Sequence, residues 1–488
     1  MRLNPPSAPL CARFTPLAWL VAAVIGLSGC ASSLGIQSQA TLRDAASLGL
    51  NTTETAAQIN TAWWREFGDA QLNALVAQAL ASQPSLKIVQ ARLARAQAGV
   101  DVTQSVTGPQ ATANLEATRQ KFTANGAIPP PLAGTVQESG TAQLTGSWEL
   151  DFFGKNRAAL EAALGQANAA QSDLDAARML LASQVARSYF TLIRLNEQLG
   201  VAQRTLAQRT QTLRLVRDRV DAGLDTRLEQ RQSEGALPDA RLQIEILQEQ
   251  LTLARHALTA LVSESNKPLA LVLPAQVAIK NIAVATSIPS DLLGRRADIA
   301  AARWRVEAAS RDVGNARAQF YPNVNLVAFA GFSSIGLDRL LDSGSQQWGV
   351  GPALRLPLFD GGRLRANLRG KTADLDAAIE SYNAAVIDAV RDVADQLAST
   401  QAIVRQQTEQ QAALAAAENA YEIAVQRYDA GLSNYLQVLS AETGVLNQRR
   451  QGVDLAARAL DTQVALIRAL GGGYHADLPL ATAAIAQK

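Results

Sequence analysis

Few side chains in this sequence could carry out chemistry. The 488 residues include two histidines, His256 and His475, and two cysteines, Cys11 and Cys30. Neither histidine belongs to an H-E-x-x-H pair or has cysteine company, so the spacing that builds a zinc site is missing. Gly471-Gly472-Gly473 follows a long helical pattern, and no Lys-Ser/Thr comes after it. It reads as a helix stop and not as a phosphate loop. No G-x-S-x-G elbow is present to hold a nucleophilic serine. The acidic residues are scattered along heptads, the usual pattern of a solvated face. The sequence thus predicts no enzyme, no metal site and no cofactor. A formal net charge of +2 offers no basic stripe for nucleic acid, and 48% apolar content excludes a disordered chain.

One thiol stands apart. Arg2 and Arg13 open the chain without an acidic residue, an apolar run extends from Phe14 to Leu27, and Leu27-Ser28-Gly29 precede Cys30. The run is shorter than the ~20 residues of a membrane span and has the parts of an export signal. Small residues ending in cysteine resemble the bacterial lipobox, which implies removal of residues 1–29 and acylation of Cys30, palmitate included. An ordinary signal peptide with an incidental cysteine is the alternative. No Asp follows Cys30, and by resemblance to sorting behaviour that implies the outer membrane. Removing Arg2 and Arg13 from 45 basic residues leaves 43, matching the 43 acidic ones, so the mature chain is formally neutral.

The chain also repeats itself. Arg219-Val220-Asp221-Ala222-Gly223-Leu224 matches Arg427-Tyr428-Asp429-Ala430-Gly431-Leu432 at an offset of 208. Leu150 to Arg157 matches Leu356 to Arg363, and Ile88 to Arg92 matches Ile299 to Arg303, at nearly the same offset. Three landmarks in one order divide the mature chain into two similar halves. The first spans 30–262, with a strand pair near 109–153 and a helical hairpin near 155–262. A Pro-containing linker follows at 263–290. The second spans 291–473, with strands near 320–359 and a hairpin near 361–471, and 474–488 form a tail.

Two periods define the elements in each half. Val185, Leu192, Leu199, Leu206, Leu213 and Val220 recur every seven residues, as do Leu237, Ile244, Leu251 and Leu258, and as do Leu439, Leu446, Val453, Leu460 and Ile467. A heptad period is a coiled-coil seam. A helix from Arg157 to Asp221 would be on the order of 100 Å long, so it must pack side by side with others as a bundle or cylinder. Gly223 and Gly431 fit the C′ position that ends such helices, making hairpin tips at 221–225 and 429–433. Before each long helix the period becomes two. Thr141, Gln143, Thr145, Ser147, Glu149 and Asp151 alternate with Ala142, Leu144, Gly146, Trp148, Leu150 and Phe152. Membrane β-barrels need such strands, and a soluble sheet with one wet face shows the same pattern. Four strands close no barrel, so two or three chains would have to share one. Arg355 and Glu149 fall on the polar face, either as pore lining or as a structural pair.

Four motifs carry a family resemblance over nearly all of the mature chain: Ala62 to Asp69 with Leu72 (AWWREFGD), Trp148 to Arg157 (WELDFFGKNR), Ile288 to Ile299 (IPSDLLGRRADI) and Arg427 to Leu436 (RYDAGLSNYL). The sequence resembles the outer membrane factors, TolC-like efflux channels, and especially their NodT-type lipoprotein branch. Ala297 stands where that family usually has Pro. The resemblance implies a mixed α/β membrane protein of trimeric TolC-like fold. A 12-stranded outer-membrane β-barrel, four strands per protomer, would continue into a long periplasmic α-helical barrel. It implies a homotrimer serving multidrug resistance as a passive exit duct for small molecules, with a periplasmic adaptor and an inner-membrane pump as partners. The duct of a type I protein secretion system and a lipid-anchored coiled-coil scaffold without a lumen are the alternatives. Carried over by resemblance, the periplasmic gate candidates are Arg219, Glu229, Arg427, Tyr428, Ser433, Gln437 and Ser440. Many members hold acids at the positions of Gln437 and Ser440. Their lack here implies a weaker charge ring, or a gate held by Glu229 with Arg219 and Arg427. Arg219 and Arg427 as helix C-terminal caps, and Tyr428 as core packing, are the plainer readings.

Overall fold

The computed structural model describes residues 32–43, 59–263, 271–275 and 292–474. Cys30, the export signal, most of the 263–290 linker, His475 and the rest of the tail lie outside the described residues. The element order is α1 (Ala70–Ser82), α2 (Pro84–Ser105), β1 (Gln110–Lys121), β2 (Val136–Leu150), α3 (Lys155–Asp221), α4 (Arg227–Leu261), a single turn at Leu292–Arg295, α5 (Ala297–Ala318), β3 (Asn323–Ile335), β4 (Gln346–Arg355), α6 (Arg363–Asp429) and α7 (Tyr435–Ala469). Helices α3 and α6 have 67 residues each, on the order of 100 Å. No helix among the described residues is long and apolar enough to cross a membrane. The chain divides into two compact units.

The first unit holds Ala96–Ala167, Arg305–Glu380 and the segment before Leu42. Its four strands form one antiparallel sheet in the order β1-β2-β3-β4, so the two halves of the sequence meet where β2 pairs β3. The alternation read from the sequence sorts the two faces. On one, Gln347 Nε2 donates to Gln143 Oε1 at 2.9 Å, and Thr141 and Ser333 hydroxyls lie 3.4 Å apart. Gln143 and Gln347 meet across β3 at Gly331, where a Cβ would come 2.2 Å from the Ala142 carbonyl oxygen. The other face exposes Leu115 (82%), Leu144, Trp148, Trp348 (78%), Val350 and Leu354. Glu149 and Arg355 share the polar face but do not pair with each other. β3 separates them in the sheet, and Glu149 is taken by Lys155 at 2.5 Å.

A strap made of the first described residues lies on this unit. Ile36 is buried with Val313, Ala316 and Leu368. The Asp376 carboxylate accepts from the Ser38 hydroxyl at 2.5 Å and from the Gln39 and Ala40 amides at 3.1 and 3.2 Å. The Ser38 hydroxyl holds the Asp376 pKa below its ordinary value. Asp376→Ala is expected to free the strap and speed tryptic cleavage after Arg43 several-fold in limited proteolysis. An unchanged cleavage rate would show that Ile36, the Arg365 bond to the Ser32 carbonyl and the Arg43 amide bond to Asn383 hold it without Asp376.

The second unit holds Leu42–Arg95, Asn168–Trp304 and the chain from Ser381 onward. The heptad residues form its core: Val185, Leu192, Ile244, Leu251, Leu258, Leu460 and Ile467 are buried together. Helix α4 runs through Pro238, although proline interrupts helical hydrogen bonding. The AWWREFGD motif is structural. Trp63 and Phe67 enter the core, and Gly68 turns the chain at φ +74°. Asp69 then caps α1, accepting from the amides of Gln71 at 2.7 Å and Leu72 at 3.0 Å. Its second oxygen takes the buried Tyr189 hydroxyl at 2.7 Å, and burial followed by that carboxylate pushes the Tyr189 pKa up. In IPSDLLGRRADI, buried Arg296 grips Asp298 through two bonds of 3.0 and 2.7 Å and donates to the Ala469 carbonyl at 3.3 Å, near the end of α7. Gly471 is obligatory at φ +96°, because a Cβ there would lie 1.9 Å from the Arg295 carbonyl oxygen. His256 is exposed, and no metal-binding cluster occurs among the described residues.

Candidate gate at the helical hairpin tips

Both hairpins turn in the same way. At the end of α3 the Leu224 amide donates to the Arg219 carbonyl at 2.8 Å and the Gly223 amide to that of Val220 at 3.0 Å. At the end of α6, Leu432 donates to Arg427 at 2.8 Å and Gly431 to Tyr428 at 2.9 Å. These are two Schellman closures, with Gly223 and Gly431 in the left-handed region at φ +74° and +71°. Thr226 and Asn434 cap the returning helices. The repeat read from the sequence is therefore also a repeat of hydrogen bonds.

The side chains break that symmetry. Arg219 Nε donates to Asp225 Oδ2 at 3.0 Å and Nη2 to Oδ1 at 3.5 Å. These two side chains are only 11% and 10% exposed. The Tyr428 hydroxyl donates to the same Asp225 carboxylate from the other hairpin. The Arg219 guanidinium lies 4.5 Å from the centroid of the Tyr428 ring, and its Nη1 reaches the Asp429 carbonyl at 3.3 Å. One carboxylate thus ties the end of α3 to the end of α6. Tyr428 is fully buried and packs with Val216, Tyr435 and Val438, so core packing and a tip contact are one arrangement. Burial, then the Asp225 carboxylate, pushes its pKa up, and the bond to Asp225 raises that of Arg219.

The other candidates are placed differently. Within one chain, Glu229 bonds neither Arg219 nor Arg427. It closes a capping box instead, accepting from the Thr226 hydroxyl and, at 2.9 Å, from the Thr226 amide. The Thr226 hydroxyl holds its carboxyl below the ordinary glutamate range. Arg219 reaches a helix end, but that of the opposite hairpin. Arg427 is exposed and has no side-chain partner among the described residues. At the repeat offset, the counterpart of Asp225 is Ser433, so the second tip lacks the acid that the first supplies to its arginine. The Ser433 hydroxyl is buried without a partner. Gln437 uses its backbone amide on Asn434 Oδ1 at 3.3 Å, and the Gln437 and Ser440 side chains are exposed.

A second bridge joins the hairpins further along. Glu442 of α7, 4% exposed, accepts from Arg209 Nε of α3 at 3.2 Å and from Gln208 at 3.3 Å. Arg209 Nη1 also donates to the Ala236 carbonyl of α4 at 3.0 Å. Burial raises the Glu442 pKa more than Arg209 lowers it. Asp225, Arg209 and Glu442 were not among the residues chosen from the sequence.

Comparison with known proteins fits this architecture. The outer membrane efflux protein family matches residues 75–264 and 288–472, one stretch per repeat. The chain is 33% identical over 453 residues to the multidrug resistance outer membrane protein MdtQ of Escherichia coli O6:H1, covering 87% of this chain and 93% of that one. It is 31% identical to MdtP of Escherichia coli K12, covering 85% and 86%. Among solved structures, the outer membrane protein VceC of Vibrio cholerae superimposes with a TM-score of 0.80 at 37% identity, over 86% of this chain and all of that one. The outer-membrane channel OprN does so at 0.78 and 27%. The chain belongs to the outer membrane efflux protein family, and its fold is that of an outer-membrane channel.

Proposed function

We propose that three copies of this chain form the passive outer-membrane duct of a tripartite efflux system, carrying small molecules and doing no catalysis of its own. The sheet carries this reading. One face is a hydrogen-bonded polar ladder, and the other exposes Trp148, Trp348, Leu115, Leu144, Val350 and Leu354. A sheet with an apolar outer face suits lipid outside and water inside. Its edge strands β1 and β4 have no further strand beside them among the described residues, and bare edges are not tolerated in lipid. Three copies supply twelve strands, enough for an aqueous interior. MdtQ and MdtP are named for multidrug resistance, which supports small-molecule cargo here. Energy must come from elsewhere, from an inner-membrane pump reached through a periplasmic adaptor. Acylated Cys30 would anchor the chain in the outer membrane beside the barrel.

The hairpin tips are the gate in this reading. Asp225, shared by Arg219 and Tyr428, holds the closed arrangement, while Arg427, Gln437 and Ser440 are free to face other copies. The purified trimer is expected to conduct ions in a planar bilayer. Conductance absent from both the wild type and tip variants would reject the duct. Cys30→Ala separates the scaffold alternative, because a barrel stays in the membrane fraction without its lipid and a scaffold is released.

A further inference from the structure

The polar face of the sheet carries few charges. Along the paired strands they are Glu116, Glu149 and Arg355. Glu149 is neutralised by Lys155 at 2.5 Å. Glu116 lies in the row of Thr141 and Ser333, and Arg355 in that of Asn323. Ten residues along β3 separate those rows, about 33 Å. That is several times the ~8 Å screening length at physiological salt, so Glu116 does not offset Arg355.

Arg355 opens onto a cavity of about 410 Å³ that Asn323, Glu149, Asp151, Lys155 and Arg363 also line. Besides Glu149, the acids there bond backbone amides and do not pair with Arg355. Asp151 accepts from the Arg157 amide at 2.8 Å, at the start of α3. Neighbouring Asp360 likewise takes the amides of Gly362 at 3.0 Å and Leu364 at 2.8 Å. The Arg355 and Arg363 side chains are exposed and have no partner among the described residues. The side-chain amide oxygen Oδ1 of Asn323 at this spot is buried without a donor among the described residues.

We propose that Arg355 is a specificity-determining residue, giving the duct an anion preference at this end of its strands and favouring cargo that carries an anionic group. The proposal rests on the duct reading above, in which the polar face lines the lumen. There three copies place three unpaired guanidinium groups around one passage, where a ring of like charge selects ions.

The test is the reversal potential of the trimer across a potassium chloride gradient, in the tip-released background Asp225→Asn with Tyr428→Phe. Arg355→Gln is expected to lower the chloride-to-potassium permeability ratio about twofold or more, and Arg355→Glu to lower it further. Arg355→Lys should keep the preference, and Arg339→Gln, beyond the paired strands, should leave it unchanged. Pores that conduct with the same ratio in Arg355→Gln and Arg355→Glu overturn the inference and leave the duct intact. No current in any of these proteins, wild type included, overturns the duct reading and the inference with it.

Discussion

Asp225→Asn is expected to shift the tips toward an open arrangement, raising open probability in planar bilayers and admitting into cells a bulky hydrophilic antibiotic that the outer membrane otherwise excludes. The substitution keeps the shape of the side chain and removes its charge. Arg219 then loses the carboxylate it holds while remaining largely buried, and Tyr428 loses a charged acceptor. Breaking a fully buried ion pair from one side costs about 3–5 kcal/mol, and an exposed pair at most about 1. A tip pair at this exposure falls between, at about 2 kcal/mol, or roughly thirtyfold in the closed–open equilibrium of each chain. Tyr428→Phe should give a smaller effect in the same direction. It removes one hydrogen bond and keeps the ring packed on Val216 and Tyr435. Glu229→Gln should do little, because Glu229 serves its own helix cap. If Glu229→Gln opens the duct and Asp225→Asn does not, the charge-ring reading of the tips is the right one.

The contrast between Glu229 and Asp225 shows what the sequence could tell. The turns were legible because a Schellman closure needs glycine at one position, and Gly223 and Gly431 recur at the repeat offset. The strands were legible because alternation is a property of neighbours in sequence. Asp225 was not, because its second partner, Tyr428, is 203 positions away in the other half. The repeat held a clue. Arg219 and Arg427 correspond, but Asp225 corresponds to Ser433 and Val220 to Tyr428. Two of the residues that differ between the matching tips, Asp225 and Tyr428, meet each other across the pair. Arg355 and Glu149 were placed on the correct face, yet only the strand order shows that β3 keeps them apart and leaves Glu149 to Lys155.

Glu442 was hidden for another reason, and its variants should separate size from charge. Acids along the heptads read as solvated, but Leu206 and Leu439 are seam residues, and Arg209 and Glu442 each follow their leucine by three. That is the second core position of a heptad, so a basic and an acidic residue at matching seam positions of α3 and α7 were a readable signal. Glu442→Ala is expected to lower stability by about 2–4 kcal/mol, seen as a fall in the thermal midpoint of the purified protein, because it leaves the half-buried Arg209 Nε and Gln208 donors without their acceptor and opens a cavity. Glu442→Gln should cost far less. Burial raises the pKa of Glu442, so the folded protein prefers the neutral side chain more than the unfolded chain does, and glutamine has that shape without the charge. The same shift fixes the sign of the pH dependence. Between the ordinary glutamate pKa and the raised one, the folded state binds the extra proton, so this group's contribution to stability falls as pH rises through that window. Glu442→Gln should flatten that slope. A loss as large for Gln as for Ala, with the slope unchanged, would mean that the Arg209 bridge outweighs the cost of burying the charge.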